Sequence, residues 1–167
     1  IWISIPPNVP ANDIIGEKHI LNNQVLANGP NVTGGDHFGF GGRNGELVGN
    51  TAEGSWADGF AFGNTGLEMR NWIIRNNRAI NNGAQGFMIY RMRNSTIADN
   101  FASGNRGDGI YVSGGEDNVI ENNEVRNNNV KGINLMDDLE PSPRGSYRNM
   151  VRGNRVYNNA VGIQESG

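Results

Sequence analysis

At 167 residues the chain supports one domain, and a hydrophobic fraction of 36% with 25 glycines points to a thin core rather than a thick globular one. A formal net charge of −3 argues against a nucleic-acid partner. The absence of cysteine excludes disulfides and thiolate metal ligands and fits an exported protein, and no apolar run approaches the ~20 residues of a membrane span.

In chain order, the first element is a strand within Ile1-Trp2-Ile3-Ser4-Ile5. One pattern then recurs six times: an aliphatic residue, an asparagine three positions later, a small or β-branched residue two further on, and a polar residue three beyond that. The asparagines are Asn23, Asn50, Asn77, Asn100, Asn123 and Asn154. The aliphatic column is Ile20, Leu47, Ile74, Ile97, Ile120 and Val151, and the small column is Val25, Ala52, Ala79, Ala102, Val125 and Val156. The second polar column is Asn28, Ser55, Asn82, Asn105, Asn128 and Asn159. After each unit comes a strand of the form x-Gly-apolar-x-apolar: Asp58–Phe62, Gln85–Ile89, Asp108–Val112 and Lys131–Leu135, with His37–Phe40 as an earlier relative and Val161–Ile163 opening a sixth copy. Alternating apolar residues mark strands with one face inward.

Fixed-period self-similarity means a stack of one supersecondary unit. The two central repeats, Gly86 to Gly109 and Gly109 to Gly132, each advance 23 residues, too short for a strand-helix-strand crossover in every turn. The expected fold is therefore all-β: a right-handed parallel β-helix of about six coils, regular period 23. In such a stack, identical residues on adjacent coils lie about 4.8 Å apart, so inward asparagines form hydrogen-bonded ladders. Glu121 should meet Arg152, and Glu124 should meet Arg155, one coil on. Both ends read as uncapped, Ile1–Ile5 starting inside a strand and Gly162–Gly167 stopping one strand into a coil. A fragment of a longer chain is expected, with end-to-end or lateral contacts between chains.

Solenoid function tends to sit on insertions that project from one face. Extra residues enter at Gly29–Gly35, Gly63–Arg70 and Asp137–Tyr147, the latter two at the same turn. These two would wall a trough about 14 Å wide, three coil spacings. Its floor would carry Met88, Tyr90, Tyr111 and Ser113, with Arg91 and Arg93 at the turn. Lys131 and Asn134 would lie at the foot of the second wall, which brings Asp137, Asp138 and Glu140. Each residue also has a purely structural role open to it. Arg91 and Arg93 could pair with Glu116 and Asp117, Asp137 and Asp138 could accept backbone hydrogen bonds in a turn, and Lys131 could pair with Asp108. His37, about two coils from the trough, reads as structural.

The run from Gly86 to Asn129, with Gly-Phe-Met-Ile-Tyr, Asn-Ser-Thr-Ile-Ala-Asp-Asn, Gly-Asp-Gly-Ile-Tyr-Val and Asn-Val-Ile-Glu-Asn-Asn-Glu-Val, resembles the repeats of the right-handed β-helix superfamily of carbohydrate-binding proteins and sugar hydrolases. Within it the look is nearest to mannuronan C5-epimerase and alginate lyase modules, although their Asp-Pro-His signature is missing. The resemblance covers about Leu47 to Gly162 and implies a secreted, cell-surface or periplasmic protein acting on an acidic polysaccharide.

Two functions compete. In the first, the chain works on a uronate polymer by β-elimination or C5-epimerisation. Arg91 or Arg93 would neutralise the carboxylate, Lys131 or a tyrosine would take the α-proton, and Tyr111 or Tyr90 would protonate the leaving oxygen. Hydrolysis by two carboxylates from Asp108, Asp137, Asp138 and Glu140 is a variant. Met88, Tyr90, Asn134, Asp108, Asp137, Asp138 and Glu140 would line the substrate. No metal centre is expected, although Glu116, Asp117, Asp137 and Asp138 could offer oxygen ligands to a Ca²⁺ ion. In the second, the chain is a non-catalytic carbohydrate-binding or structural solenoid, an adhesin or tail-fibre segment. A periplasmic accessory protein of the same repeat class that handles metal is a third reading, with only His19, His37 and no cysteine to serve it.

Overall fold

Each ladder asparagine follows a residue that can enter the left-handed region. Asn22, Gly49, Asn76, Asp99, Asn122 and Gly153 take φ between 54° and 70°, and the chain bends at each. Asn, Asp and Gly are the residues that adopt this conformation most readily. The bend separates short strands, and the repeat of bends closes a coil. The structure, a computed structural model, describes residues 2–3, 18–26, 36, 38–63, 69–138 and 145–166.

Among the described residues there is no helix, and every strand pairing is parallel. Three sheets run along the solenoid. The first contains Trp2–Ile3, Phe38–Phe40, Phe60–Phe62, Phe87–Tyr90, Ile110–Ser113, Lys131–Met136 and Val161–Ser166, paired in chain order. The second contains Lys18–Leu21, Arg43–Val48, Met69–Arg75, Thr96–Ala98, Val119–Glu121 and Met150–Arg152, with Met92–Arg93 beside the start of Met69–Arg75. The third contains Gln24–Leu26, Thr51–Glu53, Arg78–Ile80, Phe101–Ser103, Glu124–Arg126 and Arg155–Tyr157. The fold is the expected parallel β-solenoid. Successive rungs of the asparagine column are separated by 27, 27, 23, 23 and 31 residues, which makes about five full turns rather than six, and the 23-residue coil is the shortest of three lengths.

The asparagine column is a continuous hydrogen-bonded ladder. The Asn100 Oδ1 accepts from the Asn77 backbone N–H and Nδ2, both at 3.0 Å; its own Nδ2 donates to Ile74 O at 2.9 Å and to Asn123 Oδ1 at 3.1 Å. Every hydrogen-bonding site of the amide is thereby used, so burying it incurs no unsatisfied polar group. The second column, Ser55 to Asn159, repeats the arrangement at the next bend. It also explains the strand glycines. A Cβ at Gly59, Gly86, Gly109 or Gly132 would stand 2.7–2.8 Å from the Nδ2 of Asn82, Asn105, Asn128 or Asn159.

Between the ladders the core fills with like residues stacked on like. Phe38, Phe60 and Phe87 pile face to face at 4.9 Å, and Phe40 lies 4.8 Å from Phe62. Such pairs add about 0.5–1.5 kcal/mol to the area they bury. Ile110 and Ile133 continue the first stack. Trp72 plugs the corner against Phe40 and Phe62, donating its indole N–H to Gly42 O at 2.9 Å, and Gly45 leaves room for its ring. Outside, Arg152 meets Glu121 at 2.7 Å and Arg155 reaches Glu124 at 3.8 Å, the two expected pairs; exposed as they are, each contributes about 0–1 kcal/mol.

Replacing Asn100 by Ala strips four hydrogen bonds to the two neighbouring coils and leaves the buried Asn77 N–H and Ile74 O without those partners. At about 1–3 kcal/mol per orphaned group, urea denaturation should show a loss of about 3–5 kcal/mol. Asn154→Ala, on a more exposed rung, should lose clearly less; equal losses would mean that the ladder does not carry the stack.

Candidate functional site

On the outer face of the first sheet, strand register brings the expected floor residues together. Met88, Tyr111, Asn134 and Gln164 form one column, and Tyr90, Ser113 and Met136 form the next. The Tyr90 and Tyr111 rings meet edge to face with centroids 6.1 Å apart, both half-buried, while Ser113 is buried. Asn134 is also buried. Its Nδ2 donates to Asp108 Oδ2 at 2.8 Å, and its Oδ1 has no hydrogen-bond partner.

The charged residues fall differently. Arg91 forms a close ion pair with Asp138, two coils on, and Arg93 pairs with Glu116 at 2.9 Å. Glu116 is the centre of a network: Arg148 also binds it and reaches Asp117 at 2.7 Å. So the expected pairing with Glu116 holds for Arg93, whereas Arg91 takes Asp138 and Asp117 takes Arg148. Arg91 has φ of 49°, while its partner position one coil on is Gly114, at 61°. A residue other than Gly, Asn or Asp in that region is strained, and the Asp138 contact offsets the strain.

Lys131 stands away from this corner. It occupies the position before the strand glycine, in the column of Gln85 and Asp108, and Gln85 precedes Arg91 by six residues of extended chain, about 20 Å. The acid–base set of Arg91, Arg93 and Lys131 expected around one sugar ring is therefore not assembled. Nor do Lys131 and Asp108 meet through the ammonium: the Lys131 backbone N–H donates to Asp108 Oδ1 at 2.8 Å. Asp137 is a turn residue, accepting from the Ser146 N–H at 2.7 Å. Glu116 and Asp117 share Arg148, Asp138 is taken by Arg91 and Asp137 by Ser146, and among the described residues the four do not converge on a Ca²⁺ site. Glu140, His37, residues 29–35 and the middles of the two trough walls, 64–68 and 139–144, lie outside the described residues.

Three features of this region went unforeseen in the sequence. Asp58, 6% exposed, accepts from the Gln85 N–H at 2.8 Å while its own N–H donates to Asp36 Oδ1 at 3.1 Å. Burial pushes its pKa up to about 6, against the lowering effect of the Gln85 bond and with a push from Asp36. The Tyr90 phenol is also held above its ordinary range, first by burial and then by Tyr111, Asp138 and Asp58, so it stays neutral. Trp56, 65% exposed, sits on the corner two residues before Asp58. Asp58 occupies the same position before the strand glycine as Asp108, and that column was the signal that could have found it.

A concavity lies elsewhere, on the outer face of the second sheet. It measures about 240 Å³ and is lined by Lys18, His19, Asn44, Glu46, Asn71 and Ile73. There His19 Nδ1 lies 3.1 Å from Glu46 Oε2, and burial lowers the pKa of Lys18.

The stacked coils, ladders and glycine column agree with the comparison to known families. A family model described as periplasmic copper-binding protein (NosD) matches residues 21–167. The chain belongs to the NosD family. No curated protein and no solved structure gives a significant match. Copper favours sulfur and imidazole donors, and this NosD-family chain has no cysteine and two histidines. His19 is engaged with Glu46, and Met69 and Met92 are fully buried in the core. Among the described residues no three His, Cys, Asp or Glu side chains are grouped to hold a metal ion. The described residues thus offer copper no cluster of His, Cys, Asp or Glu, and the accessible thioethers of Met88, Met136 and Met150 lie on three different strands. No helix among them is long and apolar enough to cross a membrane.

The raised pKa of Asp58 has a pH signature. The protonated form is favoured in the folded state, so its contribution to stability is complete below about pH 3.8 and is lost as pH rises through about 6. Asp58→Asn keeps an acceptor for the Gln85 N–H and removes the titration. Above pH 7 the variant should be more stable than the parent by up to about 3 kcal/mol, with the difference shrinking toward pH 4. A difference independent of pH in urea denaturation would contradict the assignment.

Proposed function

We propose that this chain is a non-catalytic binding solenoid of the cell envelope that holds a polysaccharide strand across the outer face of its first sheet. The observation that carries the reading is the pairing of its cations. Arg91 and Arg93 face Asp138 and Glu116 rather than an open site, and Lys131 stands about 20 Å along the strand from Arg91. A lyase or epimerase must bring cation, base and acid to one sugar ring. A binding face needs only ring surfaces and hydrogen-bonding groups spaced along a polymer. Tyr90 and Tyr111 supply the ring surfaces, and Met88, Asn134 and Asp108 lie beside them. The family's printed description, which names the periplasm, supports an envelope location and a binding role. A copper-binding role would have to rest on His19 and the accessible methionines or draw donors from outside the described residues.

The β-elimination or C5-epimerisation reading keeps one supporting observation, the adjacency of Arg91, at the bend, to Tyr90 at the end of its strand. The two readings part on turnover. Incubated with alginate, pectate and glycosaminoglycans, the chain should generate no ultraviolet-absorbing unsaturated uronate and no change in uronate stereochemistry by NMR. In affinity electrophoresis it should be retarded by at least one polysaccharide, and Tyr111→Ala should abolish the retardation without altering circular dichroism. Product formation abolished by Arg91→Ala would overturn the binding reading.

A further inference from the structure

The first-sheet face is rich in acceptors and poor in donors, and that asymmetry bears on which glycan it fits. Asp138 lies at the Tyr90 end of this face beside Arg91, and Asp58 and Asp108 lie in the column before the strand glycines, which they share with Gln85 and Lys131. Asp108 is tied to Asn134, the residue in register with Tyr111, and Asp58 and Asp138 both act on the Tyr90 phenol. Asp36 lies beside Asp58, and Asp137 precedes Asp138. Against these stand Arg91, in contact with Asp138, and Lys131, one coil on from Asp108 in the same column; Arg93 is turned to Glu116. A second, independent observation points the same way. Asn134, 1% exposed, spends its Nδ2 on Asp108 and leaves its Oδ1 without a donor. A buried acceptor of this kind is costly unless something donates to it.

A uronate would bring one more negative charge and further acceptors to such a face. An ammonium brings the reverse. It carries three N–H donors, is drawn to carboxylates, and is attracted to the faces of tyrosine rings. We infer that the face selects a glycan bearing free amines, an amino-sugar polymer, over the acidic polysaccharide that the resemblance to lyases and epimerases suggests. The inference rests on the carbohydrate-binding reading above and narrows its ligand class.

The test is isothermal titration of the full chain with three oligomers of matched length: de-N-acetylated glucosamine at a pH where its amines are protonated, its N-acetylated parent, and a polyuronate. The free-amine oligomer should bind at least about tenfold more tightly than either of the others and weaken as salt rises. Asp138→Asn removes one carboxylate and releases the Arg91 guanidinium, so it should cut the preference for the free amine by about tenfold and improve uronate binding. Tyr111→Ala should weaken all glycans, with circular dichroism reporting that both variants fold. Equal binding of the free-amine and N-acetylated oligomers, or tighter binding of the uronate, overturns the amine inference and leaves the carbohydrate reading standing. Binding of none of the three overturns both.

Discussion

The asparagine ladder is the constraint on which the rest of the molecule depends. A coil of 23 to 31 residues has to turn several times, and each turn removes backbone groups from sheet pairing. The ladder returns them. Each inner amide accepts twice from the coil before, donates once to the coil after, and donates once to a carbonyl beneath it. Because the bonds run between identical residues on successive coils, they hold only if the coils are in register. Register in turn sets every other column: the phenylalanine stack, the strand glycines under the second ladder, and the outward tyrosines.

Insertions are tolerated because they enter where the ladder does not. The rungs at Asn50, Asn77 and Asn100 are the same whether 27 or 23 residues intervene. The consequence is that side chains at the insertion corner are free to form contacts of their own kind. Arg91 with Asp138, and the network of Arg93, Glu116, Arg148 and Asp117, tie coils together across the outside, where the ladders cannot. They rigidify the rim of the first-sheet face and at the same time withdraw its cations. A family-wide description that names copper and the periplasm sits beside this face without explaining it: its donors are oxygen and aromatic groups with the thioethers of Met88 and Met136, and among the described residues it has no imidazole or thiolate.

Much of this was legible in the sequence, for a physical reason. A parallel stack aligns equivalent residues, so a column in an alignment of repeats is a column in space, and Glu121–Arg152 or Met88–Tyr111 can be read off directly. Two things were not legible. A third ladder, Ser95, Asn118 and Asn149, spans only three coils and changes its residue type, with Trp72 taking the next place down through a bond to the Ser95 hydroxyl. Its signal was the left-handed residue before each rung: Asn71, Asn94, Asp117 and Arg148. The Arg91–Asp138 pair joins residues 47 apart, across two coils and into an insertion, where repeat spacing says nothing about side-chain reach.

The most direct test of the ladder is hydrogen exchange at its side-chain amides, followed by NMR on uniformly labelled protein. The Nδ2 protons of Asn77, Asn100 and Asn123 should exchange orders of magnitude more slowly than those of Asn71, whose bond to Asn44 is exposed, and should survive on the timescale of global unfolding. Exchange at the same fast rate for all four residues would mean that the asparagines are surface groups, and that the register of the solenoid is set by something else.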